Sequence, residues 1–224
     1  MIFQQIQHTT LLLHFAGKTL LIDPVLNSGA QTSLSVPMRE ILQADAVIIT
    51  STHPEHFDET AKNVLPKSIP VFVPDVMALE SLKSAGFTNI TIMEKETPLD
   101  NIAFSRTPLS GNPAGVLIEH PSEKTLFVTG DSVWNDGFLD AIHTLQPRAI
   151  AINFGIISAQ SAAAFGKESL SKIHTAYPKA TLITCHTDAF RKYGLTQEVL
   201  RQFAVEHGLT KKFLIPEDGR DYYL

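Results

Sequence analysis

Two short runs, Ala46–Thr50 (Ala-Val-Ile-Ile-Thr) and Ala149–Asn153 (Ala-Ile-Ala-Ile-Asn), are apolar almost throughout and lack the alternation of a strand with one wet face. Such runs suit strands buried on both faces, so the fold must cover its sheets on two sides. Helical patterns supply the cover. Glu59–Leu65, Val76–Ser84, Asp136–Leu145, Lys167–Tyr177 and Gln197–His207 read as helices. Asp75 is placed to cap the second of these, and Gly86 to stop it.

Other runs read as strands. Ile2–Ile6, Thr10–Phe15 and Thr19–Ile22 open the chain, and Ala16-Gly17-Lys18 reads as a hairpin turn between the last two. Asp23-Pro24 ends the third strand, because proline cannot donate to a ladder. Val71–Val73, Thr181–Thr184 and Phe213–Ile215 follow the same grammar. Ile90–Met93, Ile102–Arg106, Val116–His120 and Leu126–Thr129 read as one antiparallel stretch. Two mixed sheets with helices outside satisfy this order. With no Ser/Gly/Pro-rich linker between the halves, residues 1–224 read as a single α/β domain.

Composition narrows the function. Apolar residues make up 44% of the 224 residues and charged residues 18%, which excludes a disordered chain. The net charge of −5 argues against a nucleic-acid partner. The single cysteine, Cys185, excludes an internal disulfide framework and a four-cysteine zinc site. Met1–Gln7 lacks the basic start of a signal peptide, and nothing approaches the ~20 apolar residues of a membrane helix. The expectation is a soluble cytoplasmic protein acting on a small molecule, with no membrane partner.

Polar residues gather where buried strands end: Asp23, the group His53, Glu55, His56 and Asp58, then Asp131, then His186. Strand ends along one rim are where α/β folds build their sites. Histidine and carboxylate together suit a divalent metal, zinc first, with manganese or iron also compatible. Each residue taken singly also has a plain reading. Asp23 before Pro24 is a common turn pair, Asp131 in Gly-Asp-Ser suits a turn or cap, and a strand-end histidine is often only hydrogen-bonded structure.

The order of these motifs resembles the metallo-β-lactamase-fold superfamily, in its branch of small metal-dependent hydrolases that includes ascorbate-6-phosphate lactonase-like proteins. Gln7-His8-Thr9-Thr10 through Asp23-Pro24 is similar to the family's opening, and Ser51-Thr52-His53-Pro54-Glu55-His56 to its H-x-H-x-D-H signature. Gly130-Asp131-Ser132 after a strand, Cys185-His186 after another, and Ile215-Pro216-Glu217-Asp218-Gly219 complete the likeness. The resemblance implies a four-layer αββα sandwich. It also implies metal ligands among His53, Glu55, His56, Asp131 and His186, with Glu55 and Asp131 handling the proton of a metal-activated water.

The departures matter. Ser51 stands where the signature has its first histidine, and Glu55 where it has aspartate. The histidine expected after Thr107-Pro108 is absent from Leu109-Ser110-Gly111-Asn112-Pro113. A catalytic zinc needs about three protein ligands, which His56, His186 and Asp131 can supply, whereas His53 and Asp131 alone cannot fill a first site. One ion is therefore expected, serving hydrolysis of a small ester, lactone or related substrate. The alternative is a degenerate member of the fold that binds a ligand or partner without hydrolysing it.

Overall fold

The computed structural model describes residues 1–27, 34–107, 115–154, 165–185 and 196–224. Two seven-stranded sheets form the body. The first contains β1 (Ile2–Gln7), β2 (Thr10–Phe15), β3 (Lys18–Ile22), β4 (Ala46–Ile48), β5 (Val71–Val73) and β6 (Ile90–Ile92) in chain order, with β14 (Asp221–Tyr223) outside β1. The second runs from β7 (Thr97–Leu99) through β8 (Ile102–Thr107), β9 (Gly115–Glu119), β10 (Leu126–Val128), β11 (Ala149–Asn153) and β12 (Thr181–Cys185) to β13 (Phe213–Leu214).

Each sheet changes from antiparallel to parallel along its width. In the first sheet, β3 to β6 are parallel neighbours, and in the second, β10 to β13. The expectation that Ile90–Met93 joins the antiparallel stretch is thus corrected. That strand, β6, pairs parallel with β5 at the edge of the first sheet. Local pattern could not show this, because β6 and β8 have similar apolar content and only the crossover through α3 (Val76–Ser84) sets the direction.

Alternation explains why the strands read as continuously apolar. Leu20, Ile22, Ala46 and Ile48 face the second sheet, meeting Phe104, Val128, Ala149 and Ala151 in the central core. Leu21, Val47 and Ile49 face the other way, onto α1 (Met38–Ile41), α2 (Glu59–Val64) and α3. Across the molecule, Phe127, Ile150, Ile152 and Leu182 pack under α4 (Asp136–Leu145), α5 (Lys167–Ala176) and α6 (Gln197–Glu206). The architecture is helix, sheet, sheet, helix. Among the described residues no helix is long and apolar enough to cross a membrane.

Candidate metal centre

The site begins where β3 ends. Asp23 adopts a left-handed backbone, φ +46°, which short polar residues tolerate better than branched ones. Its amide still donates to the carbonyl of Ile48, 2.9 Å away, so the turn stays in register with β4. Its side chain is fully buried. Oδ1 accepts from the Thr50 amide at 2.7 Å, and Oδ2 accepts from the Thr50 hydroxyl at 2.6 Å. A buried carboxylate needs such partners, since leaving it unpaired costs several kcal/mol.

The signature loop follows β4. The amide of His56 donates to the carbonyl of His53 at 2.8 Å, which folds residues 53–56 into a tight turn. The Thr9 hydroxyl donates to the Glu55 carbonyl at 2.7 Å and ties this turn to the first hairpin. Phe57 buries its ring in the outer core, and Asp58 caps α2 through the Ala61 amide at 2.7 Å. Side chains on either side of Phe57 therefore have little freedom. His56 is driven inward, whereas His53 and Glu55 stay exposed.

His56 bridges the two sheets. Its Nδ1 lies 2.8 Å from Asp23 Oδ2, and its Nε2 lies 2.5 Å from Asp131 Oδ1. Asp131 arrives from the turn after β10, where Gly130 takes φ +55° and the Ser132 amide returns to the Thr129 carbonyl. Burial alone would strip the charge from His56. The attraction of Asp23 and hydrogen bonds to Asp131 and Asp23 outweigh it and hold the imidazole pKa up at about 10. Both ring N–H groups then donate, one to each carboxylate. Burial likewise pushes Asp131 up, but His56, the Ser51 hydroxyl and the charge of His53 together leave it below the usual carboxylate range.

The donor set fits a divalent cation at one position. His56 Nε2 and Asp131 Oδ1 converge on a shared proton, and a cation would compete for the same two lone pairs. A metal-ligating histidine commonly donates its other ring N–H to a carboxylate, which is the place Asp23 takes. Among the described residues, no three His, Cys, Asp or Glu side chains already form a cage. His53 and Glu55 lie on the adjoining loop, and His186 falls outside the described residues, as does Asn112. Cys185 is fully buried, which pushes its thiol up and leaves it protonated.

Ser51 stands at the position of the signature's first histidine. In the structure its hydroxyl accepts from the His53 amide at 3.3 Å, and it helps to hold the Asp131 carboxyl below the usual range. Thr50 was not visible in any motif. Its role is to satisfy Asp23, and a threonine closing an apolar strand carries no periodic signal of that.

Two mixed sheets between helices, with a His–Asp contact on the shared strand-end rim, define a protein of the metallo-β-lactamase fold. Comparison with known proteins agrees. Residues 3–115 match the beta-lactamase superfamily domain, and the chain belongs to that superfamily. It is 34% identical over 248 residues to the UPF0173 protein YddR of Bacillus subtilis (strain 168), covering 97% of this chain and 98% of that one. The crystal structure of an isothiocyanate hydrolase from Delia radicum gut bacteria superposes with a TM-score of 0.87 at 28% identity, covering 100% of this chain and 99% of that one. A possible metal-dependent hydrolase from Veillonella parvula DSM 2008 superposes with a TM-score of 0.89 at 25% identity, with the same coverage.

Proposed function

We propose that the protein is a metal-dependent hydrolase of a small ester, lactone or related electrophile in the cytoplasm. It would hold one divalent ion, zinc before manganese or iron, through His56, Asp131 and His186, with His53 and Glu55 at its edge. The observation that carries this reading is the buried line Asp23–His56–Asp131, which brings one imidazole nitrogen and one carboxylate oxygen within 2.5 Å of each other. The structural neighbour named for isothiocyanate hydrolysis adds an electrophilic carbon of that type to the substrates worth testing.

A divalent cation there supplies a Lewis acid that lowers the pKa of water from roughly 16 to about 7. The chain does the rest. Asp23 fixes the tautomer and tilt of His56 by accepting its Nδ1 proton. Asp131 stays ionised, because His56 stabilises its negative form, and can hold a water by accepting its hydrogen bond. Glu55, exposed on the adjoining loop, would take that water's proton to solvent. The second reading, a non-hydrolytic binding protein, rests on Ser51 and Glu55 replacing the signature residues.

The test is elemental analysis of protein purified without chelator, for wild type and His56→Ala, with turnover of p-nitrophenyl acetate, a lactone series and an aryl isothiocyanate. The hydrolase reading expects about one ion per chain, loss of that ion in the variant, and metal-dependent turnover. Two ions per chain would overturn the single-ion assignment. Absence of metal after reconstitution with zinc or manganese would support the binding protein.

A further inference from the structure

The buried side chain of Asn153 is used by nothing described so far. It closes β11 and is 3% exposed. Among the described residues, neither its Oδ1 nor its Nδ2 has a hydrogen-bond partner. A buried carboxamide with both ends unbonded is rare, because each lost hydrogen bond to water goes unreplaced.

Its position is specific. Ala151 and Ala149, two and four residues earlier on the strand, face the core between the sheets, and so does Cys185, its partner in register on β12. Alternation therefore turns Asn153 inward as well. On its other side Val128 pairs with Ala151, and the Asn153 amide donates to the Thr129 hydroxyl at 3.1 Å. That bond sets Asn153 beside Thr129, where β10 has ended and the chain turns through Gly130 to Asp131. The carboxamide thus lies on the inner face of the second sheet, next to the turn that presents Asp131 to His56.

We infer that Asn153 is a positioning residue of the metal centre, its carboxamide holding by hydrogen bonds a group that gathers around the cation. This rests on the metal-dependent reading above. A carboxamide with donor and acceptor both open suits a partner that also donates and accepts, and water is the species at a hydrolytic site that does both. Asparagine kept for folding alone would be bonded within the chain. Asparagine kept for the site is satisfied only when the site is assembled.

The experiment measures zinc affinity by chelator competition, and the melting temperature of chelator-treated protein, for wild type, Asn153→Leu and Asn153→Asp. Leucine fills a similar volume without polar atoms, so Asn153→Leu should melt about 2–4 °C higher without metal. It should nevertheless bind zinc about 10–100-fold more weakly, the usual loss for an orienting partner. Asn153→Asp keeps an acceptor and should bind zinc at least as tightly as wild type, and it carries the test alone if the leucine variant does not fold. Unchanged zinc affinity in Asn153→Leu, a lower melting temperature in that variant without metal, or weaker zinc binding in Asn153→Asp overturns the assignment. A wild type that takes up neither zinc nor manganese nor iron overturns the metal-dependent reading itself, so the two failures are told apart by the wild-type arm.

Discussion

Asp23 shows how much one residue can be asked to do. It ends β3, takes a left-handed backbone, satisfies Thr50 twice and holds His56 upright. All of this happens out of water, so the carboxylate and imidazole depend on each other for charge compensation. Asp23→Ala should therefore destabilise the fold by about 3–5 kcal/mol, the usual cost of breaking a buried pair from one side. Urea denaturation checks this, and a loss under 1 kcal/mol would mean that His56 adopts its neutral form at no cost. The pattern Asp23-Pro24 in the sequence shows a turn but says nothing of these partners, because Thr50 and His56 lie 27 and 33 residues away.

At the scale of elements, caps and turns decide where the loops point. Asp75 caps α3 by accepting from the Ala78 amide at 2.8 Å, as its place before an apolar helical run predicts. Asp58 caps α2 in the same way, but its second oxygen also accepts from the Asn27 amide at 2.6 Å. That second bond fastens the segment after Asp23 to the segment after His56. Asp75→Ala should cost about 1 kcal/mol and leave the site alone. Asp58→Ala should cost more, by about 1 kcal/mol for the extra bond, and should also loosen His56. Thermal melts of the two variants, with the His56 imidazole resonances followed by NMR, check the contrast. Equal losses would show that the Asn27 contact contributes nothing. Cap residues are legible because their effect is local. The short strands β7 and β14 and the helix α1 escaped sequence reading, since each is held by its neighbours rather than by its own pattern.

The whole molecule is two sheets pressed face to face, and their joint is visible at both ends. In the core, Phe72 of the first sheet and Phe104 of the second meet edge-on with ring centroids 4.7 Å apart. Elsewhere on the joint, Glu123, from the turn between β9 and β10, accepts from the Met1 ammonium at 2.7 Å and from the Ala16 amide at 3.1 Å. The bond to that ammonium is the main cause that keeps Glu123 below the usual carboxylate range. A depressed carboxylate adds stability that is present above its unfolded pKa and lost as pH falls through its folded one. Wild type should thus exceed Glu123→Gln in melting temperature at pH 7, with the gap closing below about pH 4. Melts of both proteins across that range test it, and a gap independent of pH would remove the ion pair from the account.

The apolar runs, helix faces and caps were determined by the sequence itself, because burial on two faces and capping depend on neighbours within a few residues. So was the list of polar residues at strand ends. What only the tertiary structure decided is which of them meet. Strand direction placed β6 with β5, and the packing of one sheet on the other brought His56 onto Asp131, 75 residues along the chain. The same packing buried Asn153 with its carboxamide unbonded, on a strand that reads as plain core. These contacts are set by the register and stacking of distant strands, which no local period encodes.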